Sequence, residues 1–219
     1  MPVQDYMSKD LITINEDTSI MKASKLMKQK GIKHLPIMRK GRLMGIVSDR
    51  VLKEATPSKA TTLDIHEMYY LLDQIKVKSL MPKRLYTIGP EQTVEKAAAV
   101  MLKHDISALP VVDQEGNLEG IISKGDIFRA FVSISGINNA ALAMGFLLKD
   151  EPGSIKEITD VIRAYGGRLG SILTAYEGAP EGFRKVFIRA REIKDEKALQ
   201  KELESKAKML YFLHEKVNQ

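Results

Sequence analysis

The 219-residue sequence contains no cysteine and no tryptophan, and aromatic residues make up only 6% of it. Without cysteine there is no disulfide scaffold, zinc ribbon, iron–sulfur ligation or thiol nucleophile. The scarcity of aromatics leaves little material for the stacking platforms that read single-stranded nucleic acid, and no reader motif is present. Long apolar runs are also missing. The longest weakly polar run, Ala140 to Leu148, is about half of the ~18 residues a membrane helix requires. The start, Met1-Pro2-Val3-Gln4-Asp5, has an acid where a signal peptide places basic residues. A cytoplasmic protein with no membrane association is expected. The four histidines, His34, His66, His104 and His214, are scattered with no two at metal-ligand spacing, so no metal is expected. No Walker pattern is present, and Gly166-Gly167-Arg168-Leu169-Gly170 ends a helical pattern rather than following a strand, so it reads as a helix stop.

What is present is ordinary globular material, 44% hydrophobic and 28% charged. At ~150 residues per domain the length suits one domain plus a smaller one. Charge is the unusual feature: 34 basic against 28 acidic residues, a net +6. Residues 1–75 carry 12 basic and 9 acidic side chains, residues 76–140 carry 8 and 7, and residues 141–219 carry 14 and 12, so half of the excess lies in the first third. Within it, Thr18 to Ser48 holds Lys22, Lys25, Lys28, Lys30, Lys33, Arg39, Lys40 and Arg42 and no acid. Such a run is either a solvated face or the footprint of an anion or acidic protein partner; nucleic acid is the less favoured partner.

The chain repeats itself. Displaced by 74 residues, Val3, Met7, Lys9, Leu11, Thr13, Ile14, Lys22, Ala23, Met27, Ile32, Leu35 and Pro36 fall on identical residues, 12 matches in the 36 positions from 3 to 38, where chance gives roughly two. One extra residue in the turn Asp113-Gln114-Glu115-Gly116-Asn117 shifts the offset to 75, and Gly41, Leu43, Gly45, Ile46, Ser48 and Ala55 then match. In each copy the spacing predicts a short strand, an amphipathic helix (Thr18 to Gln29 in the first), a hairpin (Ile32 to Met38 and Leu43 to Val47) and a second helix opened by Ser48 or Ser123. A unit of about 50 residues is too small to bury a core alone, so the copies are expected to pack together. Pro57 to Thr62 reads as a loop and Leu63 to Ile75 as a connecting helix.

Thr87-Ile88, Ile106-Ser107-Ala108-Leu109-Pro110-Val111-Val112-Asp113 and Gly120-Ile121-Ile122-Ser123-Lys124-Gly125-Asp126-Ile127 together resemble a cystathionine-β-synthase (CBS) motif, and Thr13-Ile14, His34-Leu35-Pro36-Ile37 and Gly45-Ile46-Val47-Ser48 give its first copy. The resemblance covers roughly residues 1–132 and implies a regulatory pair whose clefts bind an adenine nucleotide or adenosyl ligand: AMP, ADP, ATP or S-adenosylmethionine. It places Thr87, Ile106, Ser107, Ala108, Ser123, Lys124 and Asp126 at one adenosyl site. Ser123 and the helix start would meet a phosphate, Asp126 the ribose hydroxyls and Lys124 phosphate charge, with Ile106, Ser107 and Ala108 edging the adenine. A ligand-free alternative stands beside it: Ser123 caps the helix and Asp126 is a favourable first-turn acid. In the first copy Val51 replaces Asp126, leaving Thr13, His34, Ser48 and Arg50 to line a weaker cleft, filled differently or not at all.

After a polar hinge, Ser133 to Asn139, the order changes. Leu142 to Leu148 reads as a strand, and Ile155, Ile158, Val161 and Ile162 as a helix started by Pro152-Gly153. Leu169 to Ala175 and Phe183 to Ile188 are then strands, Asp195 to Lys206 a helix and Met209 to Val217 a strand. This is the βαββαβ, ferredoxin-like plan. Lys149-Asp150-Glu151-Pro152-Gly153-Ser154-Ile155 is similar to the ligand loop of ACT domains, which implies an amino acid-like effector held by Asp150, Pro152, Gly153, Ser154 and Ile155; the alternatives are a simple Pro-Gly helix start or a module that only pairs chains.

The fold class is therefore α/β (α+β): a first CBS repeat at 1–56, a connecting loop and helix at 57–76, a second repeat at 77–135 and an ACT-like unit at 136–219. Two CBS repeats followed by an ACT unit resemble the acetoin-utilisation B protein family, which implies a non-catalytic, homodimeric regulator linked to acetoin catabolism. An enzyme with an unrecognised nucleotide-hydrolysing or transfer site, and a dimeric scaffold without ligand, are the alternatives.

Overall fold

The computed structural model describes residues 1–56, 70 and 72–215. The loop and most of the connecting helix expected at 57–76, His66 included, lie outside the described residues. The chain divides into two compact units, Met1–Ile127 and Phe128–Gln219, so both repeats share one unit.

The first repeat runs β1 (Ile14–Asn15), α1 (Ile20–Lys30), β2 (His34–Arg39), β3 (Arg42–Ser48) and α2 (Asp49–Glu54). Ser19 accepts a hydrogen bond from the Lys22 N–H and starts α1; Gly31, at φ +64°, ends it. Helix α1 buries Ile20, Ala23 and Met27 and leaves Lys22, Lys25, Lys28 and Lys30 exposed, as the periodicity requires. Strand β1 pairs parallel with β2 (Ile14 opposite Ile37), and β2 antiparallel with β3. The second repeat gives α3 (Val94–His104), β4 (Ala108–Val112), β5 (Leu118–Ser123) and α4 (Lys124–Ser135), with a single parallel bridge from Ile88 to Val111 in place of β1.

The repeats exchange their leading segments. The turn Val3–Asp5 belongs in sequence to the first repeat, yet the Val3 N–H donates to the Gln92 carbonyl, the Val94 N–H to that of Met1, and Ser8 and Ile121 bond both ways, all in the second repeat. Its counterpart Val77–Leu80 does the reverse: the Val77 N–H donates to the Thr18 carbonyl and the Ile20 N–H to that of Ile75. Val3 and Val77 are both fully buried, and Val77 is part of the core formed by Ile20, Met27, Leu35, Ile37, Val47 and Leu52. The two matched hairpin glycines complete the exchange. A Cβ on Gly45 would meet the Met81 sulfur at 3.0 Å, and one on Gly120 would overlap that of Met7.

The boundary between the units falls inside α4, which continues through Ser135 to Gly136 (φ +74°). Ser133 to Ser135, expected to open a hinge, are helical because nothing before Gly136 breaks the pattern. The second unit then has β6 (Leu142–Lys149), α5 (Ser154–Ala164), β7 (Arg168–Ala175), β8 (Phe183–Arg191), α6 (Glu196–Lys206) and β9 (Lys208–His214). Its sheet order is β7-β8-β6-β9 with every neighbour antiparallel, the βαββαβ arrangement expected. Met144, Phe146 and Leu148 of β6, Val186 and Ile188 of β8, Ile158 and Ile162 of α5, and Leu199 and Leu203 of α6 make its core. Pro152 lies outside α5 rather than in its first turn, since Gly153, at φ +93°, is the N-cap. Gly166 (φ +82°) follows the C-cap Tyr165, so the glycine-rich stretch is a helix stop.

Candidate functional site

Strand β5 delivers Ser123 to the start of α4. The Ser123 hydroxyl accepts from the Asp126 N–H at 3.4 Å and donates to Asp126 Oδ2 at 2.6 Å, and the same oxygen accepts the Ser123 N–H at 2.7 Å. This is a reciprocal capping box with aspartate in the third helical position. Only 3% of Asp126 is exposed, so the bonds that cap the helix also fix a carboxylate in a low-dielectric setting. In the first repeat Ser48 caps α2 by accepting from the Val51 N–H at 3.3 Å, but Val51 has no oxygen to return.

His34 joins the repeats. It stands opposite Ser48 in the β2–β3 register, and its Nε2 lies 2.8 Å from the Ser107 hydroxyl just before β4. Burial pushes the imidazole below its ordinary range, while the Asp126 carboxylate raises it, Lys33 lowers it and Asp49 raises it. The sequence groups His34 with the first cleft; the structure brings it to Ser107 and within the field of Asp126. Ser107 also accepts the Lys124 N–H at its carbonyl, at 2.9 Å, and Ala108 stands opposite Ser123. Ser107, Ala108, Ser123, Lys124, Asp126 and His34 therefore converge, with Ile106 bonded back to Met101 beside them. Thr87 is exposed and lines a groove of 560 Å³ that includes Glu91, Asp113 and Glu115 and none of the converging residues. On the other side, Thr13 is exposed and Arg50 is paired along α2 with Glu54 at 2.8 Å. The first cleft's expected cation is thus engaged within its own helix. His104 stacks on Tyr86 with centroids 3.9 Å apart, and His214 pairs with Glu196 at 3.0 Å.

At the β6–α5 loop, Asp150, Pro152 and Gly153 are exposed and Ser154 is half-buried, but Ile155 packs against the core. As the second residue of α5 it faces the sheet and not the loop. Asp150 Oδ1 lies 3.4 Å from Arg184 Nη1 and 3.5 Å from the Tyr176 hydroxyl, and Arg184 Nη2 donates to the Ser154 hydroxyl at 3.1 Å. The sequence reading missed Arg184. Its signal is strand parity: it falls on the same face of β8 as Val186, Ile188 and Ala190, the core-facing side chains.

Two similar halves with exchanged leading segments and serine-capped strand-to-helix junctions define a paired-repeat module. A family profile described as "CBS domain" matches residues 3–57 and 77–133. The chain belongs to the CBS-domain family. It is 32% identical over 130 residues to the uncharacterised protein MJ0188 of Methanocaldococcus jannaschii, over 58% of this chain and 43% of that one. It is 33% identical over 133 residues to the CBS domain-containing protein DDB_G0289609 of Dictyostelium discoideum, over 60% of this chain and 92% of that one. The crystallised CBS domain pair of MJ0100, in complex with 5'-methylthioadenosine and S-adenosyl-L-methionine, shares 29% identity at a TM-score of 0.50, over 60% of this chain and 96% of that one. The chain spans less than half the length of the first curated relatives it matches. Among the described residues no helix is long and apolar enough to cross a membrane.

Proposed function

We propose that this chain is a non-catalytic, cytoplasmic regulatory protein that binds an adenine nucleotide or adenosyl ligand beside Asp126, and that binding shifts the population of its conformations. The observation that carries the reading is the buried Asp126 carboxylate, fixed by Ser123 and sharing its surroundings with Ser107 and, from across the repeat boundary, His34. The MJ0100 pair, which holds adenosyl compounds, supports the ligand class. Titration calorimetry of the full chain with AMP, ADP, ATP and S-adenosylmethionine is expected to find one tight site. A hydrogen bond to a charged group contributes about 1.5–3 kcal/mol, so Asp126→Ala weakens binding ten- to hundredfold while Val51→Ala changes little. Two equal sites, or unchanged affinity in Asp126→Ala, would overturn the assignment.

The acetoin-utilisation and ACT readings extend this proposal to the second unit. What supports them is the order of modules and the glycine-capped β6–α5 loop, where an amino acid's carboxylate would meet helix N–H groups and its ammonium Asp150. A homodimer is supported by α4, which exposes Phe128 (69%), Phe131 (56%) and Val132 (42%) at helical spacing. Phe131→Asp is expected to give a monomer by light scattering; an unchanged dimer mass would remove α4 from the interface. An acidic protein partner is supported by Lys22, Lys25 and Lys28, for which the described residues supply no ion pair.

A further inference from the structure

We propose that Arg184 anchors a small carboxylate that carries no ammonium group, such as a 2-hydroxy or 2-oxo acid, at the β6–α5 loop, and that Asp150 holds the guanidinium until this ligand displaces it. The proposal rests on the effector reading of that loop and departs from it in the charge of the ligand.

Arg184 stands opposite Leu148 on the core-facing side of β8, and 18% of its side chain is exposed. Its guanidinium cannot shed its charge, so a mostly buried position there requires an anion. The neighbourhood makes the requirement stronger. Nη2 reaches the Ser154 hydroxyl in the first turn of α5, an 11-residue helix whose cap, Gly153, offers no side-chain oxygen. A cation thus faces the positive end of a helix dipole. The carboxylate that answers is Asp150, and it answers loosely: it stands 3.4 Å from Nη1, is itself 38% exposed and lies at the limit of hydrogen-bond distance from the Tyr176 hydroxyl. Arg184 Nε is buried and, among the described residues, has no hydrogen-bond partner.

A guanidinium binds a carboxylate best through two parallel N–H donors. A ligand carboxylate that displaces Asp150 and approaches side-on would take Nε together with one Nη, satisfying the orphaned donor while staying close to the helix start. Tyr176 is placed to bond a hydroxyl or carbonyl on the adjacent carbon. An ammonium on that carbon would instead sit within a few ångströms of the guanidinium, and the acid that would balance it, Asp150, is the one already facing Arg184.

The test uses the full chain and three probes with one carbon skeleton: lactate, pyruvate and alanine. Calorimetry is expected to show lactate or pyruvate binding at least tenfold tighter than alanine. Arg184→Lys, which keeps the charge and loses the fork, should weaken that binding at least tenfold with an unchanged circular dichroism spectrum. Asp150→Asn, at an exposed position, should tighten it about threefold or more. Alanine binding best, with Asp150→Asn weakening it, would overturn the proposal and leave the amino acid reading standing. No binding by any probe, or unchanged affinity in folded Arg184→Lys, would overturn the proposal as well.

Discussion

Phe146→Ala is expected to lower the stability of the second unit by about 3–5 kcal/mol, the usual cost of truncating a buried phenylalanine. Phe146 is fully buried in β6, an inner strand bonded to β8 on one side and β9 on the other, and it stands opposite Val186. The cavity would open between the sheet and the residues that cover it, Ile158 and Ile162 of α5 and Leu199 and Leu203 of α6. Backbone ladders on both edges of β6 hold the strand in register, so collapse around the void is restricted. A loss of this size is a fifth or more of the ~5–15 kcal/mol that stabilises a typical domain. Urea unfolding followed by circular dichroism measures it, and a loss below about 1 kcal/mol would show that Phe146 is not at the centre of this core.

The second large effect is expected to appear in the repeat that does not contain the mutation. Val3→Asp removes a buried valine and places a carboxylate in apolar surroundings, at a cost of roughly 3 kcal/mol or more. Because Val3 packs and bonds with the second repeat, the amides of Val94 and Ile121 should lose protection from hydrogen exchange. Val77→Asp should do the converse, exposing the Ile20 amide in the first repeat. Protection lost by each variant within its own repeat in sequence would contradict the exchange of leading segments.

The residues show how far the sequence could be read. Helix α1 was legible because its stripe of Ile20, Ala23 and Met27 acts locally, and α6 because its amphipathic pattern from Asp195 to Lys206 does the same; their caps, Ser19 and Asp195, came only with the structure. The βαββαβ order was legible from alternation and turn residues. The exchange of leading segments was not, since Val3 and Val77 are identical residues in equivalent contexts and nothing local says which copy each one covers. The contact of His34 with Ser107 was not legible for the same reason: a contact 73 residues away in sequence leaves no periodic trace. Arg184 left one, a charge at a core-facing strand position, which gains meaning only beside the loop that α5 brings to it. The continuation of α4 to Ser135 shows serines following the helix until a glycine stops it.

The exchanged segments make the CBS pair an isologous dimer within one chain: residue 3 touches residue 92, residue 77 touches residue 18, and each relation mirrors the other. Two-fold homodimers are built this way, with one patch used twice. A chain carrying a single repeat would need a second copy to bury its leading segment, whereas covalent fusion turns that encounter into an intramolecular one at an effective concentration on the order of millimolar. Fusion also frees the halves from identity. In a true homodimer a change at one cleft is forced on both, but here Val51 and Asp126 occupy equivalent places. The molecule keeps the symmetry that holds it together while giving its two serine-capped strand-to-helix junctions different side chains.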